Sequence, residues 1–166
     1  MDNPTDSMGD NPALNETNEK LSQGQLPDWI TEHLKQYRDN PAQAHWWDGS
    51  AFGGHEKTPT LLLTTRGRKT GRMLVMPLIY GTDGDRYVLI GSKGGAPEHP
   101  AWYLNLVANP VVDLQVADER FKARASTATG AERQRLFDMM TSVYPPFPAY
   151  QARTERELPV VVLERV

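Results

Sequence analysis

Between two apolar runs the sequence places Thr64-Thr65-Arg66-Gly67-Arg68-Lys69-Thr70-Gly71-Arg72. Arg68 offers a planar guanidinium fork, Lys69 a mobile point charge, and Thr70 a hydroxyl donor. Gly67 and Gly71 permit positive φ, so successive N–H groups can turn into one concavity. Such a set suits a phosphate or a carboxylate. The glycine spacing is not that of a P-loop, which has four residues between its glycines and then Gly-Lys. The plainer reading is a solvated basic hairpin, and on these residues alone the two readings stand level.

A second segment, Ser92-Lys93-Gly94-Gly95, follows a strand-like run and precedes a helix-like one containing Trp102 and Tyr103. Paired glycines let a ligand approach the backbone, and the helix start adds free N–H groups. Two glycine-basic loops at strand ends could hold one extended anion, with Lys93 touching it. Trp102 and Tyr103 could flank a flat ring, although Trp102 and Leu106, four apart, also read as the core stripe of that helix. A third segment, Tyr144-Pro145-Pro146-Phe147-Pro148-Ala149-Tyr150, puts three aromatic rings on a chain that its prolines keep out of regular helix. It caps an apolar pocket or straps the helix before it.

Other chemistry finds little support. His45, His55 and His99 lack metal-ligand spacing, and His33 sits on an apolar face as a core histidine. There is no Gly-x-Ser-x-Gly elbow and no Gly-x-Gly-x-x-Gly dinucleotide fingerprint. The chain has no cysteine, which excludes disulfides, thiolate metal sites and a cysteine nucleophile.

The elements that must position these loops are mostly strands. Residues 28–39 predict a helix with Ile30, His33, Leu34 and Tyr37 on one face, ended by Asn40-Pro41. Strands are expected over 60–65, 73–80, 86–92, 111–116, 120–126 and 158–163, with Pro77 marking an edge or a bulge. Asp83-Gly84 signals a hairpin turn. Residues 97–108 predict a short helix closed by Asn109-Pro110. Thr129-Gly130-Ala131-Glu132 reads as a capping box before a helix with Leu136, Met139, Met140 and Val143 at core spacing. Six strands joined mainly by hairpins favour an antiparallel sheet, an α+β (mainly β) small barrel with helices outside it.

The 166 residues carry 18 Lys plus Arg against 21 Asp plus Glu, a net charge of −3. That argues against a general nucleic-acid binder. The charge is uneven. Residues 1–26 hold five acids (Asp2, Asp6, Asp10, Glu16, Glu19) and one base (Lys20), a net −4, which leaves +1 on the other 140. Too polar to offset its chain entropy, 1–26 is expected to be a disordered acidic tail before a single domain over 27–166. No apolar run is long enough to form a transmembrane segment, and the start Met-Asp-Asn-Pro is not that of a signal peptide. A reducing, cytoplasmic setting is expected.

Taken together, these residues resemble the deazaflavin-dependent nitroreductases. The carriers are Leu62 through Gly71, Pro77-Leu78, Ser92 through Ala96, Pro100 through Leu106, Ala108-Asn109-Pro110 and Tyr144-Pro145, in family-like order over roughly residues 45–166. The resemblance implies a six-stranded antiparallel split β-barrel, FMN-binding-like, and the 5-deazaflavin coenzyme F-420. That coenzyme has a flat ring, a phosphate and an oligoglutamate tail. It also implies that Arg68, Lys69, Thr70 and Gly71 hold the phosphate and tail region, that Pro77, Ser92, Lys93, Gly94 and Gly95 line the ring and its linker, and that Trp102, Tyr103 and Asn105 support the pocket.

In such a protein the coenzyme carries the hydride and the chain supplies binding, orientation and electrostatics. Ser92 would steady the ring or substrate, and Tyr144 and Tyr150 would shape the substrate side and assist protonation. Ile79 and Phe147 stand where family members can have tyrosines, and Leu74 where an arginine is common, with Arg72 nearby to compensate. Fewer phenols steer a nitro group less well, so a quinone or an activated enone is as good an acceptor as a nitro compound. Two alternatives are an FMN-using split-barrel oxidoreductase and a non-catalytic carrier of an anionic flavin-like cofactor. An edge strand would allow a homodimer.

Overall fold

The structure, a computed structural model, describes residues 28–166; the acidic segment 1–26 lies outside them. The chain runs α1 (Asp28–Asp39), α2 (Pro41–Ala44), β1 (Trp46–Trp47), β2 (Thr58–Arg66), β3 (Met73–Ile79), β4 (Gly81–Asp83), β5 (Arg86–Ile90), α3 (Ala101–Ala108), β6 (Val111–Val116), β7 (Glu119–Thr127), α4 (Gly130–Val143), α5 (Phe147–Ala152) and β8 (Val160–Arg165). Single 3-10 turns occupy Ser50–Phe52 and Lys93–Gly95.

All strand pairings are antiparallel. The eight strands form one sheet in the order β3-β2-β6-β7-β8-β5-β4, with the short β1 beside the start of β2. The six expected strands are all present, and β1 and β4 raise the count to eight. The sheet curls into an open half-barrel with helices around it. Pro77 sits on β3, which pairs only with β2; an edge strand tolerates a missing N–H.

Alternation sorts the side chains onto two faces. Leu61, Leu63, Met76, Leu89, Leu114 and Leu163 point inward and form one buried cluster, which Trp102 and Leu106 of α3 and Ile30 of α1 join. On the outside of β5 and β8, Val88, Ile90, Val160 and Val162 form a second cluster under α4 and α5. Each fully buried Leu or Val there contributes about 1.5–3 kcal/mol relative to exposure.

Three local expectations change. Thr129 is the N-cap of α4, but its side chain makes no capping bond; Glu132 turns instead to Arg86 at 3.1 Å. The proline-rich segment does contain a helix, α5, because Pro146 and Pro148 fall at its start, where a missing N–H is harmless. The helix expected over 97–108 begins only at Ala101, since Pro100 is extended at ψ 149°.

Candidate active site at one rim of the sheet

Antiparallel alternation fixes where the loops emerge. Strands β2, β7 and β5 run one way and β3, β6 and β8 the other. The 67–72 turn between β2 and β3, the 91–100 segment after β5, and the chain entering β6 and β8 therefore share one rim. The two glycine-basic loops do leave the same end of the sheet.

The first loop is closed by Gly67 donating to the Arg72 carbonyl at 2.7 Å and Gly71 to the Gly67 carbonyl at 2.9 Å, with Gly71 at φ +74°. Asn105 on α3 latches it. Its carboxamide oxygen accepts from the backbone N–H and from Nη1 of Arg68, each at 3.2 Å, and its Nδ2 donates to Thr65 Oγ1 at 3.2 Å. Asn105 is buried and Arg68 is partly committed to it. Thr70 Oγ1 accepts from the Arg72 N–H, which leaves its own hydroxyl hydrogen free to donate outward. Lys69, Arg66 and Arg72 are exposed, and among the described residues their side chains make no ion pair.

The second loop carries three consecutive left-handed residues, Lys93 (φ 45°), Gly94 (φ 64°) and Gly95 (φ 82°). Its shape is set from the chain before β8, which the sequence reading passed over. Arg156 donates to the carbonyls of Gly91 (3.1 Å), Ser92 (2.8 Å) and Ala96 (2.8 Å) and reaches His99 Nδ1 at 3.2 Å. Arg153 donates to the Gly94 carbonyl at 2.9 Å. Burial lowers the Arg156 pKa from its ordinary value, and burial, then the Arg156 charge, lowers that of His99. Gly95 packs against the backbone of α5: a Cβ there would lie 2.5 Å from the Tyr150 carbonyl oxygen. The one available signal was two arginines in a short charged stretch between an apolar helix and the last apolar strand.

The remaining expected residues divide. Ser92 is half-buried at the rim, and its hydroxyl makes no hydrogen bond among the described residues. Lys93 faces Glu98 at 2.8 Å, and that hydrogen bond holds the Glu98 carboxyl below its usual range. Trp102 belongs to the inner core, as its helical spacing with Leu106 allowed. Tyr103 donates to, or accepts from, Thr127 Oγ1 at 3.0 Å and lies 5.0 Å from the His99 ring. Pro77 is buried on the outer face opposite Leu62, four residues along β3 from the rim, or about 13 Å.

Tyr144, Phe147 and Tyr150 form the strap, all packed in the outer cluster. The Tyr144 and Tyr150 hydroxyls lie 2.9 Å apart, and burial raises both phenol pKa values, so both stay protonated at neutral pH. Ile79 and Phe52 pack beside them.

A separate hollow of about 700 Å³, lined by Thr82, Asp85, Arg86, Tyr87, Glu164 and Arg165 among others, opens at the opposite end of the sheet. Its cations are matched, Arg86 by Asp83 and Glu132 and Arg165 by Glu119. Among the described residues no group of His, Asp and Glu could hold a metal ion, and no helix is long and apolar enough to cross a membrane.

An elongated anion with a flat ring needs unpaired cations, bare backbone and an apolar surface close together. The rim offers Lys69, Arg66 and Arg72, the Ser92–Gly95 backbone, and exposed Met73, and these fit a deazaflavin with a phosphate and a carboxylate tail. A mainly antiparallel half-barrel of this kind is split-barrel-like in fold. The model of the F420H(2)-dependent quinone reductase family matches residues 33–165, and the chain belongs to that family. Its relatives include the F420H(2)-dependent quinone reductase Rv1261c of Mycobacterium tuberculosis, 41% identical over 110 residues, which span 64% of this chain and 74% of that one. A solved F420-H2-dependent reductase is 37% identical, covers 64% of this chain and 94% of its own, and superposes with a TM-score of 0.60. A chain solved as a domain-swapped dimer is 31% identical over 82% of this chain and 98% of its own, with a TM-score of 0.62. The protein is thus an oxidoreductase of a family whose cofactor is coenzyme F-420.

Proposed function

We propose that the protein takes hydride from reduced coenzyme F-420 bound at this rim and reduces a quinone-type small molecule. The observation that carries the reading is the shared rim: two glycine-bent loops, 67–72 and 91–100, leave the same end of the sheet, one latched by Asn105 and the other by Arg156. The coenzyme, when bound, supplies the two-electron chemistry.

Lys69, Thr70 and the turn amides near Gly71 hold the phosphate, with Arg68 held in place by Asn105. Ser92 presents a free hydroxyl to the ring or the acceptor, and the bare backbone of Gly94 and Gly95 lets the ring lie close. Lys93, matched by Glu98, fixes the shape of its loop. Trp102 and Asn105 support the site from beneath, and Tyr103 borders it. Pro77 and the neighbouring outer face of β3 receive the ring edge. Tyr144 and Tyr150, neutral and bonded to each other, give the acceptor side a floor that holds its proton and excludes water.

The reading extends to a six-stranded split β-barrel formed by one domain over 27–166, to a cytoplasmic protein, for which the cysteine-free composition speaks, and to a homodimer. The dimer is supported by the domain-swapped relative. Anaerobic mixing of the protein with reduced coenzyme and a panel of quinones, enones and nitro compounds tests the activity. Return of the oxidised deazaflavin absorbance with quinones is expected; no oxidation by any acceptor would overturn it. Light scattering on the eluted protein tests the dimer.

A further inference from the structure

The fork of Arg156 reaches four acceptors: Nε donates to the Ala96 carbonyl, Nη2 to that of Ser92, and Nη1 to that of Gly91 and to His99 Nδ1. Three of these are carbonyls of the loop that bends through left-handed residues 93–95. The fourth, His99, is the one acceptor of the set that titrates. A guanidinium only donates, so His99 Nδ1 must accept, and the neutral ring carries its proton on Nε2. Protonation at Nδ1 turns that acceptor into a donor facing a donor and sets two cations in contact.

Little around the half-buried ring offsets a second charge. Arg156 faces it from the chain before β8, and Tyr103 from α3 with ring centroids 5.0 Å apart. Glu98, its neighbour in the chain, is turned to Lys93 at 2.8 Å, and Arg153 to the Gly94 carbonyl at 2.9 Å. Among the described residues no carboxylate pairs with His99. The lowered pKa of the ring, from burial and then from the Arg156 charge, agrees with that geometry.

We propose that His99 is a positioning residue for the second loop: as a neutral acceptor it fixes the Arg156 fork across the Gly91, Ser92 and Ala96 carbonyls, and its protonation releases the fork and loosens the rim. This rests on the reading that the coenzyme ring lies against the Ser92–Gly95 backbone. The sign of the pH effect separates this role from direct contact. A histidine touching an anionic ligand binds it more tightly once charged. A histidine acting through Arg156 weakens binding as it becomes charged. Where only the neutral ring supports the binding-competent loop, affinity falls by up to about tenfold per pH unit below the folded pKa, which lies under 6.5.

Calorimetry of coenzyme F-420 with the parent, His99→Gln and His99→Leu, at about pH 7.5 and about pH 5.5, tests the role. Hydrogen-exchange protection of residues 91–100 is read in the ligand-free proteins at the same two pH values. The glutamine carboxamide oxygen accepts from Arg156 and does not titrate, so His99→Gln also cancels any titration of the ligand itself. At the higher pH the parent and His99→Gln should bind alike, and His99→Leu about two- to tenfold more weakly. At the lower pH the parent should fall toward His99→Leu while His99→Gln holds. Protection of 91–100 should follow the same order, with the 67–72 turn unmoved. Parent affinity that holds or rises in acid relative to His99→Gln, or protection of 91–100 that ignores both pH and His99→Leu, overturns the positioning role and leaves the coenzyme site standing. If no form binds coenzyme at either pH, the coenzyme reading fails, and protection in the ligand-free protein still decides whether His99 holds the loop. Thermal unfolding midpoints at both pH values show whether the variants keep the fold.

Discussion

The carboxamide oxygen of Asn105 receives two donors from Arg68, the backbone N–H and Nη1, both at 3.2 Å. One buried side chain on α3 thereby ties the basic turn to the helix that follows the second glycine loop. Asn105→Ala leaves the Arg68 donors and Thr65 Oγ1 without this partner. A loss of about 1–3 kcal/mol is expected, read as a lower urea midpoint, together with weaker coenzyme binding.

Among the described residues Lys69 makes no hydrogen bond or ion pair, so its removal reports chiefly on the ligand. Lys69→Ala should weaken coenzyme binding by about 1.5–3 kcal/mol if it makes one charge-assisted hydrogen bond, with the unfolding midpoint unmoved. Unchanged affinity in calorimetry would remove Lys69 from the site.

Arg156 serves the second loop through a planar fork that a lysine cannot reproduce. Arg156→Lys should free some of the Gly91, Ser92 and Ala96 carbonyls at a cost of about 1.5–3 kcal/mol. Hydrogen exchange should quicken in residues 91–100 before it does in the 67–72 turn.

Two glycines with similar φ should behave differently. At Gly95 (φ +82°) a Cβ meets the Tyr150 carbonyl oxygen at 2.5 Å, whereas at Gly71 (φ +74°) nothing lies within 4 Å. Gly71→Ala should cost about 1–2 kcal/mol for the left-handed backbone alone. Gly95→Ala adds displacement of α5, for about 3 kcal/mol or more. Thermal unfolding of the pair decides it.

Stability should fall in mild acid. His33 is buried with Nε2 at 2.8 Å from the Ala44 carbonyl, and burial lowers its pKa from 6.5; burial also lowers that of His45, whose Nε2 lies 3.3 Å from the Tyr80 hydroxyl. Above 6.5 both folded and unfolded chains hold these rings neutral. Below it the unfolded chain binds the protons first, so stability declines until the pH passes the lowered folded values. His33→Gln keeps a donor for the Ala44 carbonyl and removes that proton. Urea midpoints at about pH 7.5 and about pH 5.5 should lie closer together in the variant than in the parent.

Much of the frame was legible because periodicity reports burial. The Ile30–His33–Tyr37 face of α1, the apolar run of β8 and the edge character announced by Pro77 all follow from side-chain spacing. The two glycine loops were legible because few residue types suit left-handed backbone. What the loops contact was not legible. Arg156 lies 57 residues from His99 in sequence, and no local pattern distinguishes an arginine clasping carbonyls from one in water. The pairing of Lys93 with Glu98, five residues on, depends on the turn between them. The Thr129–Glu132 capping box failed for a like reason: Arg86, from a distant strand, competes for the carboxylate.

Strand β8 follows every other strand in sequence, yet it lies between β7 and β5. During synthesis β5 waits for its neighbour while some seventy residues are made, and neither β7 nor β5 is paired on that side until β8 arrives. Such long-range closure is slow and leaves strand edges open meanwhile. Arg156, just ahead of β8, reaches the second loop in the same event, so a nascent chain gains its sheet and its rim together.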